Sequence, residues 1–167
     1  IAIGTRLSGT GISDGTIVVA FTVNTITMSA NATSNGVQTI TPRSAIFGFV
    51  SGTAPNRKFV IQWTQAKRYS STGENINLQM ILNEGNANPT LQTLQVVYGT
   101  CTATSATALE TQVGLKGATT SDFNARTSTS TWAATTASAA NTDHVRFSNT
   151  INPASGLTFT WSPCTVG

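Results

Sequence analysis

The chain is expected to fold as an all-β, antiparallel, jelly-roll-like β-sandwich of about nine or ten short strands, the architecture that evenly spaced strand patterns imply. Three observations predict it. Apolar and polar side chains alternate with period two over several short stretches, the pattern of half-buried strands. Clusters of Gly, Pro, Asn and Ser separate those stretches. Charged residues make up only 9% of the chain. The Glu, Lys and Arg that long helices draw on are therefore scarce, whereas Thr, Val, Ile and aromatic side chains favour strands.

Ile17, Val19, Phe21 and Val23 alternate with Val18, Ala20 and Thr22. After Asn24 the larger apolar residues are Ile26 and Met28, so the apolar face moves by one; a bulge, or a strand crossing a sandwich corner, is expected there. Asn35-Gly36 is a hairpin signal, because a type I′ turn needs positive φ twice. It predicts that residues 26–33 pair with 37–43. Residues 44–50 read as another strand, and Ser51-Gly52-Thr53-Ala54-Pro55-Asn56 as a loop. Phe59, Ile61 and Trp63 then alternate with Lys58, Val60, Gln62 and Thr64, giving a strand with one strongly apolar face.

Ile76, Leu78, Met80 and Leu82 alternate with Asn75, Asn77, Gln79, Ile81 and Asn83. A helix would put Asn77 and Gln79 inside the apolar arc, so a strand is expected. Leu94, Val96 and Tyr98 complete an antiparallel meander. Residues 102–109 are ambiguous. Val113 and Leu115 mark a short strand closed by Gly117, and residues 119–140 read as polar and irregular around Phe123 and Trp132. Val145 with Phe147, and Leu157 with Phe159 and Trp161, form the last strands. Trp63 and Trp161 lie in phase with apolar neighbours and are expected in the core.

The 167 residues fit one domain over 1–167 that is able to bury its own core. The chain begins with Ile and has no signal-type apolar segment, so it reads as a domain excised from a longer multidomain protein. Its net charge is +3 and its pI about 9.2. The cations are dispersed, with Arg57-Lys58 and Lys67-Arg68 the only adjacent pairs, whereas phosphate-tracking surfaces concentrate them. Nucleic-acid binding is not expected. Nor is membrane insertion, since no apolar run approaches the ~20 residues of a spanning helix. Cys101 and Cys164 fit no metal spacing, and an isolated pair in a polar chain suggests a disulfide and an oxidising compartment. Such a bond would close a loop of roughly sixty residues, worth up to ~4 kcal/mol. Two unpaired buried thiols are the alternative.

No catalytic, metal or cofactor site is expected. His144 is the single His and reads as a surface strand residue beside a turn Asp143. There is no Gly-x-Ser-x-Gly elbow, and neither Cys sits in a catalytic signature. Glu74, Glu84 and Asp14 fall in predicted turns, and nothing pairs them with Glu110, Asp122 or Asp143 for glycoside chemistry. Ser8-Gly9-Thr10-Gly11 lacks the Gly-Lys-Ser/Thr of a phosphate loop. Trp132 sits in a polar loop, where an exposed ring would stack on sugars. Its large area favours instead a ring folded back over an open end of the sandwich.

Three groups of residues carry a resemblance. They are Gly52-Thr53-Ala54-Pro55-Asn56-Arg57 with Phe59-Val60-Ile61-Gln62-Trp63; the Ile76–Leu82 strand with Val96-Val97-Tyr98-Gly99; and Val113-Gly114-Leu115-Lys116-Gly117 with Asp122-Phe123-Asn124-Ala125-Arg126, Trp132, Pro153 and Gly156-Leu157-Thr158-Phe159-Thr160-Trp161. Over residues 45–163 the chain resembles β-sandwich modules of large secreted bacterial cell-surface proteins of the kind exported by type IX secretion. Residues 1–44 match that pattern less clearly. The resemblance implies an extracellular or cell-surface location, neighbouring adhesion or fibronectin-type domains in the same parent chain, and no catalytic signature. A non-catalytic adhesion or ligand-binding module is therefore expected. Its glycan or protein ligand would meet the loops around Arg57, Arg68, Tyr69, Arg126 and Trp132. A spacer module of a surface filament or stalk is the alternative, and an accessory domain of a secreted hydrolase is a third reading.

Overall fold

The structure is a computed structural model that describes residues 3–36, 39–42, 44–68, 73–85, 88, 91–119, 121–127 and 131–163. In chain order its strands are β1 (Leu7–Ser8), β2 (Val18–Phe21), β3 (Ile26–Met28), β4 (Thr41–Pro42), β5 (Ala45–Ser51), β6 (Lys58–Ala66), β7 (Ile76–Asn83), β8 (Leu94–Tyr98), β9 (Leu109–Thr111), β10 (Gly114–Lys116), β11 (Phe123–Arg126), β12 (Ala137–Ser138), β13 (Val145–Phe147) and β14 (Thr158–Trp161). Every strand pairing among them is antiparallel. The protein is an all-β antiparallel sandwich of the expected class.

Its centre is a five-stranded sheet in the order β14-β8-β7-β6-β5. The meander read from the alternation of residues 59–98 is present strand for strand. Directly opposed residues share a face, so the register assigns each side chain. Val50, Phe59, Leu82 and Leu94 form one row across the sheet, and Ile46, Trp63, Leu78 and Tyr98 another. These rows lie on the apolar face. Over its β7-β8-β14 half, that face is covered by the short C-terminal sheets β10-β11-β12 and β9-β13. Tyr98, Phe159 and Trp161 there form one cluster with Val113, Trp132, Val145 and Phe147. The β5-β6 half stays open, leaving Ile46 67%, Val50 61% and Phe59 42% exposed.

This reverses the expectation for β6. Val60, Gln62 and Thr64 are buried, while Phe59 is exposed and Ile61 and Trp63 are half-buried. Trp161 is core, as expected; Trp63 is not. The reason is tertiary. The N-terminal segment covers the opposite face, where Gly4 lies against the Phe47 ring and Thr5 faces Gln62 and Thr64. Burial follows what is stacked on a face, and period two alone does not specify that.

The N-terminal layer pairs β1 with β4 and β2 with β3 around the buried Leu7 and Val18. The moving apolar face near Asn24 marks a turn between two strands and not one long bulged strand. Thr22 N–H donates to Thr25 O, and Thr22 Oγ1 accepts from the backbone N–H groups of Asn24 and Thr25. The Asn35-Gly36 hairpin does not form, since β3 pairs with β2 and β4 with β1. Gly36 has φ +112°, but Gln65 is the only non-glycine with positive φ among the described residues. Asn35 therefore lacks the conformation that a type I′ turn demands. Val37, Gln38 and Arg43 lie outside the described residues.

The stretch read as irregular also holds structure. β11 and β12 complete a sheet with β10, and Trp132–Ala134 form a 3-10 turn. At Gly114 a Cβ would lie 2.5 Å from Ala125 Cα, so only glycine lets β10 approach β11 this closely.

Against the disulfide expectation, Cys101 is a free, buried thiol among the described residues, with its Sγ 3.5 Å from Asn77 O; its expected partner Cys164 lies outside them. Burial pushes the thiol pKa up, against a smaller opposing effect of the Asn77 carbonyl contact. A thiolate-dependent alkylating reagent is thus expected to leave Cys101 unmodified in the native protein. It should label Cys101 on denaturation without any reductant, as read by mass mapping of the Cys101 peptide. Labelling that needs prior reduction would restore a disulfide.

Candidate ligand-binding cleft

A cleft of about 580 Å³ opens on the face opposite the aromatic core, within the size range of small-ligand sites. Its polar lining includes Gln62, Thr64, Gln65, Asn75, Asn77 and Gln79, and among the described residues no charged one lines it. β6 and β7 supply these groups. Gln62 and Gln79 are opposed in register, and Gln79 Nε2 donates to Gln62 Oε1 at 2.7 Å. That bond leaves one amide NH₂ and one amide carbonyl of the pair without a further partner among the described residues. With the amides flipped, the two residues exchange these roles.

Next to this pair the ladder breaks. The β6-β7 register shifts between Trp63 and Ala66, and Gln65 sits at φ +51°. A left-handed non-glycine costs roughly 1–2 kcal/mol. Asn77 holds the bulge: its Oδ1 accepts from Gln65 N–H at 2.9 Å, and its Nδ2 donates to Asn75 Oδ1 at 2.9 Å and Thr100 O at 2.6 Å. Bulges re-aim side chains at sites. The floor is therefore a fixed array of uncharged donors and acceptors. It suits hydroxyl groups, which both donate and accept, and among the described residues it presents no charged group to a ligand.

Of the residues singled out from the sequence, those that are described lie elsewhere and do not converge. Arg57 and Arg68 sit just beyond opposite ends of β6, and each engages a carboxylate. Arg57 grips Glu84 through Nε–Oε2 at 2.9 Å and Nη2–Oε1 at 2.6 Å, and its backbone N–H donates to Oε2 at 2.9 Å. Arg68 Nη2 pairs with Oε1 of Glu74, whose side chain is 0% exposed. Tyr69 lies outside the described residues. Arg126 bonds the Thr135 side chain and carbonyl, with its guanidinium 4.8 Å from the Phe159 ring centre. Trp132 is buried in the core and donates Nε1–H to Arg146 O at 3.0 Å, so it cannot serve as an open stacking platform.

His144 Nε2 lies 3.3 Å from Glu110 Oε1, and Nδ1 lies 3.1 Å from Thr142 O. Ser138 Oγ bonds Asp143. Among the described residues no three His, Cys, Asp or Glu side chains group as a metal site, and no helix is long and apolar enough to cross a membrane.

The hydrogen bonds from Arg57, through its side chain and backbone N–H, hold Glu84 at a pKa of about 2 against an ordinary 4.5. A depressed carboxylate stabilises the fold fully above its unfolded pKa and loses that effect as pH falls towards the folded one. Thermal melts should therefore show Glu84→Gln with a shallower fall in Tm than wild type between pH 4.5 and 2. Parallel curves would remove this role.

A central antiparallel sheet packed on one half of its apolar face against short C-terminal sheets, with a polar cleft on its other face, defines a β-sandwich module. A family model described as NIDO related matches residues 13–163, and the chain belongs to that family. The module is extracellular, as that family is. The match includes residues 13–44, which the resemblance to bacterial surface modules covers less clearly. Neither a curated protein nor a solved structure matches the chain significantly.

Proposed function

We propose that the chain is a non-catalytic binding or adhesion module of a secreted or cell-surface protein, and that its carboxamide cleft takes a neutral, polyhydroxylated ligand, a glycan above all. One observation carries this reading. Among the described residues, Gln62 and Gln79 keep an unconsumed donor and acceptor side by side in a cleft without charged lining, beside a strained bulge that Asn77 holds in place. Adjacent sugar hydroxyls match such a pair. The resemblance of residues 45–163 to modules of type IX-exported proteins supports a bacterial surface protein as the parent. Neighbouring domains of that parent are further partners.

A glycan array with the intact chain, followed by calorimetric titration of the hits, tests the reading. Gln79→Leu is expected to weaken binding about tenfold, the loss of one or two neutral hydrogen bonds, with unchanged circular dichroism. Array signals no higher than background, or a Gln79→Leu variant that binds as wild type, would remove the cleft from consideration.

A further inference from the structure

We infer that β5 is a self-association edge: two copies of this chain pair β5 against β5 antiparallel about a two-fold axis at Gly48, joining two five-stranded sheets into one. The inference is independent of the glycan reading, which concerns the other face and the far end of β6.

β5 is an edge of the main sheet, and among the described residues no strand pairs with its outer side. Open edges template pairing, and proteins block them with Lys, Pro, bulges or short strands. β5 has none of these. It is seven residues long, pairs with β6 in unbroken register, and reads Ala-Ile-Phe-Gly-Phe-Val-Ser, with no charge and no proline. A two-fold interface must be self-complementary, and this sequence is. With Gly48 on the axis, Ile46 meets the second copy's Val50 and Phe47 meets its Phe49, so apolar faces apolar on both sides of the sheet.

The register extends the match inward. The row Leu82-Phe59-Val50 of one copy would run straight into the row Ile46-Trp63-Leu78 of the other, making one apolar row across the joined sheet. The uncovered half of the apolar face becomes the middle of this dimer.

Size sets the strength. With roughly 200 Å² per large apolar side chain, the exposed parts of Ile46, Phe49 and Val50 leave on the order of 700 Å² across two copies, below the ~1,000 Å² of a stable interface. Backbone hydrogen bonds along the paired edges add to this. The dimer is accordingly a weak, concentration-dependent one.

Sedimentation velocity of the intact chain from micromolar to near-millimolar concentration reads the equilibrium. Wild type is expected to pass from monomer to dimer and no further. Ile46→Lys and, separately, Val50→Lys put a cation on this edge at exposed positions, and each should weaken dimerisation at least tenfold with unchanged circular dichroism. Gly48→Cys tests the axis: a Cβ there makes only an ordinary 3.7 Å contact with Phe59, and mild oxidation should trap a covalent dimer well above the wild-type background. A monomer throughout, open-ended polymers, dimers indifferent to both lysines, or a Gly48→Cys chain that does not cross-link would each overturn the inference.

Discussion

Trp132→Ala is expected to destabilise the fold by about 3–5 kcal/mol, the range for removing a buried large aromatic. Trp132 is 4% exposed. Its ring meets Tyr98 edge-on with centroids 5.1 Å apart, and its indole N–H satisfies Arg146 O. The substitution opens a cavity between the main sheet and the C-terminal sheets and leaves that carbonyl unpaired. Trp132→Phe keeps much of the volume and should lose only about 1–2 kcal/mol, with the hydrogen bond as the main component. Urea unfolding measures both, and an unchanged m-value keeps the comparison two-state. Were Trp132 a sugar platform, Trp132→Ala would lower ligand affinity and leave the urea midpoint in place.

Arg68→Met is expected to cost about 3 kcal/mol, near the lower end for breaking a buried ion pair. Glu74 is wholly buried while Arg68 is 25% exposed, so removing the cation strands a carboxylate away from water. The Arg68 backbone N–H, 3.2 Å from Glu74 Oε2, compensates only in part. Replacing both residues in Arg68→Met/Glu74→Leu should recover most of the loss, because a pair exchanged for apolar side chains leaves no orphan charge. Equal urea midpoints for the single and double variants would show that Glu74 does not depend on Arg68. Both substitutions sit near the bulged end of β6, so the glycan titration on Arg68→Met also reports whether the cleft tolerates a loosened neighbour.

The central meander was legible because β6, β7 and β8 alternate without interruption, and alternation is a local property of the chain. Which face of β6 would be covered was not. Phe59, Ile61 and Trp63 are the more apolar set, yet Val60, Gln62 and Thr64 are the buried one, because the N-terminal segment at Gly4 and Thr5 lies on their side. β11 was hidden in residues 119–140 for a related reason: Phe-Asn-Ala-Arg has little hydrophobic contrast, and its pairing depends on the small Gly114 opposite Ala125. Arg57, Arg68 and Arg126 stand out in a chain with so few charges, and the fold gives each a partner that alternation could not reveal: Glu84, Glu74 and Thr135. The cleft residues were in view as the polar half of each alternation. Their signal was chemical type: Gln62, Gln65, Asn75, Asn77 and Gln79 are all carboxamides where solvated positions would carry Lys or Glu.

The chain of edge-to-face rings Trp132–Tyr98–Phe159–Trp161, with centroid separations of 5.1, 6.1 and 6.4 Å, spans the seam at its first contact, where Trp132 meets Tyr98, and then runs along the main sheet. Electronic transitions held at fixed angles this close are optically coupled, so the near-ultraviolet dichroism of the protein becomes a gauge of that seam. If the two layers part while their strands persist, the aromatic bands that depend on the Trp132–Tyr98 contact weaken and the amide bands remain, the spectral signature of a loosened core. The protein thus carries its own label-free reporter of layer separation.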